Sequence, residues 1–316
     1  MSQLNWTEAQ WNRVNSAITE EFTKASVAGA CLPCYGPMGA SMEAVSRQVF
    51  THDTNNNSSI IKISDNDTTP FWTLRTFVHL NSQQVADESL SSALFAFKRA
   101  ANLLAQTEDY VVFQGHDGNT PPPRHPLASA KRPGVFRVPS VRNLDNLIGD
   151  TTFSAPGLLS KSVSQPNLVS VPVKVMTSII GGTSVTTNSY GENLVSKIAE
   201  AISKLESNGY PGPFACALGH KAFIEAQTPG SGSLVLPADR ITPMLGGPLI
   251  RSGNIPLSHG LVASSCGESL DIVVATPPKA QFLHVNDDAK YVFRVYERFV
   301  LRIKDPNAVV PIELED

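Results

Sequence analysis

Apolar residues recur at helical spacing in three stretches of the chain, and each stretch predicts an amphipathic helix. The first begins at Thr7 and Gln10, which resemble a capping box, and extends to about residue 28. The second covers about 88–113, and the third begins with a second capping-box pattern at Ser189 and Glu192. The apolar positions are Trp11, Val14, Ile18, Phe22 and Ala25 in the first, Leu90, Leu94, Phe97, Ala101 and Leu104 in the second, and Leu194, Ile198, Ile202 and Leu205 in the third.

Two stretches have the composition and alternation of β-strands. Residues 71–80 are rich in aromatic and β-branched side chains, and residues 290–304 alternate between apolar and basic positions. After a turn at 305–307, residues 309–312 are expected to return as a partner strand. The basic positions are Arg294, Arg298, Arg302 and Lys304. Helices combined with long antiparallel strands predict an α+β fold rather than the βαβ order of a nucleotide-binding sheet.

Two further stretches are too polar or too rich in proline to supply a core. Residues 50–69 contain three consecutive asparagines, and they predict a long projecting loop or hairpin. Residues 116–185 contain Pro121-Pro122-Pro123 and few periodic patterns. We expect the part at 116–154 to decorate the surface, so its deletion should leave the subunit folded.

The composition is that of a globular protein with no electrostatic pull toward nucleic acid. The 316 residues include 41% hydrophobic and 17% charged side chains, and the formal net charge is -3. Nucleic-acid binding usually needs a clearly basic surface, so a genome-coating role is disfavoured. The start of the chain lacks the pattern of a signal peptide, and no apolar run is long enough to span a membrane. The expected location is the cytoplasm.

The search for catalytic motifs finds none of the common phosphate-binding, metalloprotease or hydrolase signatures. Cys31 and Cys34 have a C-x-x-C spacing but precede a turn, so the four cysteines are interpreted as small buried apolar residues. Glu108 and Asp109 are interpreted as solvated helix charges. No catalytic residue and no metal ligand is assigned, although a serine, a histidine and an acid occur in any chain of this length.

Five blocks of the sequence follow one another in the order seen in one known family. They are Leu4–Trp11 leading to Gly36-Pro37-Met38-Gly39, residues 71–80 around Leu74-Arg75, Ala100–Gly115 with Glu108-Asp109, Gly209–Phe214, and Phe293–Phe299 continuing to Asp305-Pro306-Asn307-Ala308. These blocks resemble the family 1 encapsulins, the linocin-like shell proteins, in which a Leu-Thr-Glu-x-x-Trp start leads through a helix to a Gly-Pro-x-Gly turn. The resemblance spans nearly the whole chain.

The resemblance implies the Hong Kong 97-type phage major-capsid fold, with a peripheral domain, an axial domain and an extended loop. The chain would then assemble as a homo-oligomer into an icosahedral, virus-like nanocompartment that encloses a peroxidase or a ferritin-like cargo enzyme. The expected divisions are a luminal helix and the start of the peripheral domain at 1–47, the extended loop at 48–70, the peripheral domain with the spine helix at 71–115, an insertion at 116–185, the axial domain at 186–265 and the last peripheral strands at 266–316.

The resemblance also implies where cargo docks through a short targeting peptide. The expected surface is an apolar groove between the first helix and the peripheral domain, formed by Phe22, Ala25, Gly29, Cys31, Pro33, Pro278, Ala280 and Phe282. Gly29 and Pro33 stand where relatives carry an arginine and an aspartate, which leaves small apolar surface. Gln83 stands near the position of an aromatic that binds flavin in some relatives, so neither flavin nor any other cofactor is expected.

A Gly/Ser-rich turn follows the expected axial segment at the position of the family's pore loop. The residues expected to line the fivefold opening are Gln227, Thr228, Pro229, Gly230, Ser231, Gly232 and Ser233. None of them is charged, so we expect size rather than charge to govern passage.

Three function classes remain open at this point. The first is a shell protein that is not itself an enzyme, with homo-oligomeric and cargo-protein partners but no nucleic acid or membrane. The second is a phage or prophage major capsid protein, which shares the fold and packages DNA. The third is a bacteriocin or peptidase, labels that have been attached to linocin-like proteins.

Overall fold

The computed structural model describes residues 4–53, 60–116, 155–160, 163, 167–180, 183–230, 234–266 and 269–315. The helices are α1 Glu8–Ala25, α2 Ala28–Cys31, α3 Ser82–Ala86, α4 Ser91–Gln114, α5 Gly191–Ser207, α6 His220–Gln227 and α7 Pro237–Leu245. The strands are β1 Cys34–Tyr35, β2 Ala44–Ser46, β3 Val49–Asp53, β4 Ile60–Ser64, β5 Thr68–Pro70, β6 Trp72–Leu80, β7 Gly115–His116, β8 Ala155–Pro156, β9 Val169–Val171, β10 Lys174–Ile180, β11 Thr183–Ser189, β12 Phe214–Leu218, β13 Leu249–Arg251, β14 His259–Ser264, β15 Leu270–Val285, β16 Tyr291–Ile303 and β17 Val309–Leu314.

The first helix forms where the apolar spacing predicts it. Gln10 N donates to Thr7 Oγ1 at 3.3 Å, and Thr7 N donates to the Gln10 side chain at 2.8 Å, so the predicted capping box is confirmed. Val14, Ile18 and Phe22 lie on the buried face of α1. That face packs against α4 and β15, which fixes the helix on one side of a sheet.

The larger core lies between helices and a four-stranded sheet of order β1-β15-β16-β6. β15 and β16 form a long antiparallel hairpin with three register shifts, and β6 pairs along the outer edge of β16 from Leu80 opposite Tyr291 to Trp72 opposite Phe299. The alternating pattern of residues 290–304 therefore forms a central strand, β16, with one face against α1 and α4. The predicted strand at 71–80 is confirmed.

A second core lies between a five-stranded sheet of order β13-β12-β14-β17-β9 and helices α5, α6 and α7. The expectation that the segment after the turn would pair with β16 is wrong, because β17 pairs with β14 and β9 instead. All five residues of β12, which lies between β13 and β14, are buried. The C-terminal strand thus belongs to the sheet of the expected axial domain.

Two helix starts differ from the predictions. The capping box at Ser189 and Glu192 does not form, because Ser189 ends β11 and Tyr190, the N-cap of α5, donates its backbone N–H to Glu225 Oε2 at 3.0 Å. The long helix α4 begins only at Ser91, because Leu90 has a left-handed backbone with φ 51°. Both differences arise from tertiary contacts or backbone geometry that periodicity does not report.

The polar stretch after residue 40 forms an extended hairpin. β3 pairs with β4, and β2 pairs with β5 nearer the root. Arg298 on β16 donates to the carbonyl oxygens of Ala40 at 2.6 Å and Met42 at 2.8 Å, and Phe50 N donates to Lys304 O at 3.0 Å. The root of the hairpin is therefore attached to one face of the four-stranded sheet.

Candidate functional site

The start of α1 is held in place by an aromatic cluster. Trp6 stacks on Phe293 with ring centroids 5.0 Å apart, and its indole N–H donates to Val85 O at 3.0 Å. Trp11 packs edge-on against Trp6 at 5.1 Å, and Phe282 packs edge-on against Phe293 at 5.5 Å. Phe282 is therefore half-buried as part of this cluster.

The end of α1 is held by a buried carboxylate. Asp109 Oδ1 accepts hydrogen bonds from the backbone N–H groups of Val27 at 2.9 Å and Ala28 at 2.7 Å. Midway along the helix, Asn15 Oδ1 accepts from Ala280 N at 3.0 Å. α1 is thus fixed at both ends and at its middle, and its remaining face is accessible.

The expected docking residues lie along α1 in two groups. Ala280 and Phe282 are beside the first half of the helix, whereas Ala25, Gly29 and Pro33 lie at or beyond its end. The ten residue steps from Asn15 to Ala25 correspond to about 15 Å of helix, so the two groups form a strip rather than one pocket. In burial the set is mixed: Phe22, Cys31 and Pro278 are buried, Ala25, Pro33, Ala280 and Phe282 half-buried, and Gly29 exposed.

A groove that the sequence reading missed lies between α1 and the first half of α4. It encloses about 510 Å³ and is lined by Arg13, Ser16, Ala17, Glu20, Ser91, Leu94, Phe95 and Lys98. Phe95 is 76% exposed, although it is a large aromatic residue. Phe95 lies outside the apolar spacing of α4. An aromatic residue on the polar face of a helix is the feature of the sequence that could have indicated this groove.

The expected pore loop follows α6 at an exposed end of the second core. Gln227, Thr228 and Pro229 are exposed, and Gly230 is close enough to Glu192 that an added Cβ would come within 3.3 Å of its Oε1. Ser231, Gly232 and Ser233 lie outside the described residues. Glu192 pairs with Arg240 at 2.6 Å, so an ion pair lies beside this uncharged turn.

The acidic pair in α4 is buried, and its interpretation as solvated helix charge is wrong. Burial raises the pKa of Asp109 to about 7, although the hydrogen bonds from Ala28 and Val27 oppose the shift. Burial also raises the pKa values of Glu108 and of Glu297 on β16, and the charge of Glu108 raises the pKa of Glu297 further. Adjacent helix positions point in different directions, but here both directions lead into the core because α2 and β16 cover them.

The thiols of Cys31, Cys34 and Cys216 are protonated at neutral pH. Burial raises the pKa of Cys31 to about 12, and it also raises the pKa of Cys216. Cys34 is exposed as a residue, but partial desolvation of its thiol and the nearby carboxylates raise its pKa to about 11. Cys31 and Cys216 are buried as the sequence predicts, but Cys34 and Cys266 are exposed. A thiolate is the nucleophile in cysteine chemistry, so these three groups have the properties of structural thiols.

Among the described residues, no group of three or more histidine, cysteine, aspartate or glutamate side chains is arranged to hold a metal ion. The helices of the same part of the chain are all too short or too polar to cross a membrane.

Comparison with known structures defines the fold. The virus-like particle of Pyrococcus furiosus superposes with a TM-score of 0.64 and 15% identity over 97% of this chain and 100% of that one. The capsid of Myoviridae phage XM1 superposes with a TM-score of 0.53 and 13% identity over 91% of this chain and 90% of that one. The two sheets, the long helix and the extended hairpin thus have the Hong Kong 97-type capsid fold.

Sequence comparison then separates encapsulins from phage capsids. A family model described as "encapsulating protein for peroxidase" matches residues 2–121 and 173–300. The type 1 encapsulin shell protein EncA of Myxococcus xanthus is 22% identical over 97% of this chain and 93% of its own length. The chain belongs to the family of encapsulating proteins, the linocin-like encapsulins, whose members are shell proteins.

Proposed function

We propose that this chain is the structural subunit of a closed shell that encloses a cargo enzyme and leaves the chemistry to that cargo. The observation that carries the proposal is the family match, which covers residues from both cores and is interrupted only at 122–172. The extended hairpin supports it, because a hairpin that projects from the sheet is suited to contact another subunit.

We propose that cargo docks on the accessible side of α1. The groove between α1 and α4 offers Leu94 and Phe95 as an apolar seat, with Arg13, Glu20 and Lys98 around it. The strip containing Ala25, Gly29, Pro33, Ala280 and Phe282 is the second seat. A targeting peptide that buries two or three aliphatic side chains gains about 1.5–3 kcal/mol from each. Ordering the peptide costs part of this gain, so the affinity of each site is modest. Many copies in one particle raise the effective affinity.

We also propose a route into the shell, a class of cargo and a location for the particle. The turn at 227–233 lines a small opening at the fivefold vertex, with the Glu192–Arg240 pair set back from it. The cargo is a peroxidase or a ferritin-like iron oxidase, the particle lies in the cytoplasm, and nucleic acid is excluded from it. The net charge of -3 supports the last point, because a DNA-packaging capsid favours a basic lumen.

Purification of the recombinant chain tests the proposal directly. Size-exclusion chromatography and negative-stain microscopy should show hollow spherical particles, and cargo-free particles should have no peroxidase or peptidase activity. A well-folded monomer or dimer at physiological salt would contradict shell formation. Peptidase activity that stays with cargo-free particles would favour the bacteriocin or peptidase class instead.

A further inference from the structure

The hairpin formed by β10 and β11 stands apart from both cores. Its strands pair without a bulge, from Lys174 opposite Ser189 to Ile180 opposite Thr183. Among the described strands they form a sheet of their own, and each packs mainly on the other. Each strand has seven residues, which correspond to about 23 Å. An isolated two-stranded hairpin is only marginally stable in water, so we expect it to have a partner.

The edges of the β10–β11 hairpin lack the features that usually protect exposed strands. Residues 175–189 include no charged residue and no proline, and more than half of them are β-branched. Natural edge strands usually carry lysine, proline or a bulge, which prevent pairing with another chain. Within the described chain no third strand pairs with either edge. Both edges therefore offer regular rows of backbone N–H and C=O groups to further strands.

The root of the β10–β11 hairpin is fixed beside the turn at 227–233. Tyr190, which follows β11, donates its backbone N–H to Glu225 Oε2 at 3.0 Å. A Cβ added to Gly191 would lie 3.6 Å from Thr228 O, so the start of α5 lies against the first part of the turn. The β10–β11 hairpin thus leaves the subunit next to the turn that we place at the fivefold opening.

We propose that the β10–β11 hairpins of the copies around each fivefold vertex pair edge to edge, β11 of one copy with β10 of the next, and close into a β-barrel collar around the opening. Rotation about the vertex keeps every β10 running in the same direction along the axis, so each new pair is antiparallel. Pairing of β10 with β10 across a twofold axis would leave both β11 edges bare, whereas the closed ring covers every edge. This inference rests on the proposed shell function and on the proposed position of the turn.

The collar lengthens and narrows the route into the shell. A barrel of about eight strands is just filled by its own side chains, whereas one of about 16–18 strands encloses an aqueous channel. Two strands from each of five copies give a size between these limits, which leaves a narrow passage. Residues 175–189 add no charge to that passage, so no charged ring offsets the cost of dehydrating an ion. Small uncharged solutes are therefore the class that passes most readily.

Cross-linking at the end of the β10–β11 hairpin tests the ring. Cys34 and Cys266 are exposed, so both are first changed to serine. Equivalent residues of adjacent copies are two strands apart, about 10 Å, and a bismaleimide with a spacer of that length is used. Particles of the Cys34→Ser/Cys266→Ser/Thr183→Cys chain should give a ladder on denaturing gels that stops at five chains. The chain with only the two serine changes is the matched control and should remain monomeric on the gel.

A backbone block tests the strand pairing itself. Two residues join the strands, so the pair of Ile180 and Thr183 exchanges hydrogen bonds and the pairs alternate from there. The N–H of Thr186 therefore points away from β10, toward the next copy. Thr186→Pro removes this donor and is compatible with an edge strand, and in the cross-linking chain it should lower the yield of five-chain product at least about tenfold. Thr186→Val retains the N–H, so this matched control should cross-link as well as its parent.

The outcomes separate the collar from the shell function. A ladder that stops at five chains, lost with Thr186→Pro and kept with Thr186→Val, supports the collar. A product that stops at two chains, particles that give no cross-linked product, or an undiminished ladder from assembled Thr186→Pro particles overturns the collar while the shell function stands. If circular dichroism shows that Thr186→Pro does not fold, Thr177→Pro, which removes an outward N–H from β10, takes its place. A wild-type chain that forms no particles contradicts the shell function itself.

Discussion

Arg302 and Asp271 form a bidentate ion pair in the interior of the four-stranded sheet, with Arg302 Nε 2.8 Å and Nη2 2.6 Å from the two carboxyl oxygens. Both side chains are less than 10% exposed, and Lys304 Nζ lies 3.2 Å from the same carboxylate. Breaking one side of a buried pair leaves the other charge unpaired, which costs about 3–5 kcal/mol.

We therefore expect Arg302→Met to lower the free energy of unfolding by about this amount, measured by urea denaturation followed by circular dichroism. The Arg302→Met/Asp271→Asn/Lys304→Met chain should recover part of the loss because it leaves no charge of this cluster without its partner. A single variant as stable as the wild type would show that Lys304 alone is enough to balance Asp271.

The buried acids predict a loss of stability as the pH rises. Glu108 and Glu297 have pKa values raised above 4.5 in the folded state, and that of Asp109 is raised from 3.8 to about 7. The folded state thus binds protons that the unfolded state has released. This stability is fully present below the unfolded pKa values and declines as the pH rises through the folded ones. For Asp109 the window is about pH 4 to 7, and for the glutamates it extends from about 4.5 upward.

Glu297→Gln should flatten this decline, because a neutral amide replaces a group that must ionise in the core. The measurement is the urea midpoint as a function of pH, with the exposed Glu206→Gln as the control. A Glu297→Gln chain that follows the wild-type curve at every pH would rule out Glu297 as a source of the decline.

The sequence predicted the helices and the central strand because their spacing reports directly which face is buried. The prediction that Glu108 and Asp109 are solvated was wrong. An acidic residue on a helix is usually exposed, and only the tertiary packing shows that α2 and β16 cover both side chains. The predicted partner of β17 was also wrong, since local alternation identifies a strand but not the strand with which it pairs. The docking strip was reached only through the family resemblance, and Phe95 was overlooked because it interrupts the apolar spacing of α4.

Gly36 in the Gly-Pro-x-Gly turn predicts a strong steric effect. Its φ of 133° lies in a region that other residues rarely adopt, and an added Cβ would come within 2.2 Å of Val274 O. Because that atom belongs to the backbone of β15, it cannot move aside cheaply. We expect Gly36→Ala to destabilise the subunit by about 2–4 kcal/mol in denaturation experiments. Gly253→Ala, where no atom lies within 4 Å of the added Cβ, should be close to neutral.

The two proposed docking seats predict different effects on cargo loading. Phe95→Asp removes a large apolar contact worth about 1.5–3 kcal/mol, which corresponds to a roughly 10- to 150-fold loss of affinity. If the α1–α4 groove is the seat, this variant gives empty shells of normal size, measured as the cargo-to-shell ratio on denaturing gels. Ser92→Asp, on the same helix but outside the groove, is the matched control.

Gly29→Arg and Ala25→Arg test the second seat, the strip at the end of α1. Empty shells from these variants together with normal loading of Phe95→Asp would place the seat on the strip. Full loading of all three would place it elsewhere and contradict docking on α1.

The two ends of the proline-rich segment predict that it can be removed without harm to the fold. β7 and β8 pair in antiparallel register, with Gly115 opposite Pro156 and His116 opposite Ala155. Residues 116 and 155 are thus already adjacent, so replacing 117–154 with a two-residue Asn-Gly turn closes the chain with little loop entropy. We expect the shortened chain to be soluble, with a denaturation midpoint near that of the wild type, although its particles should dissociate more readily if the segment straps neighbours together. Loss of all soluble protein would instead place the segment in the core.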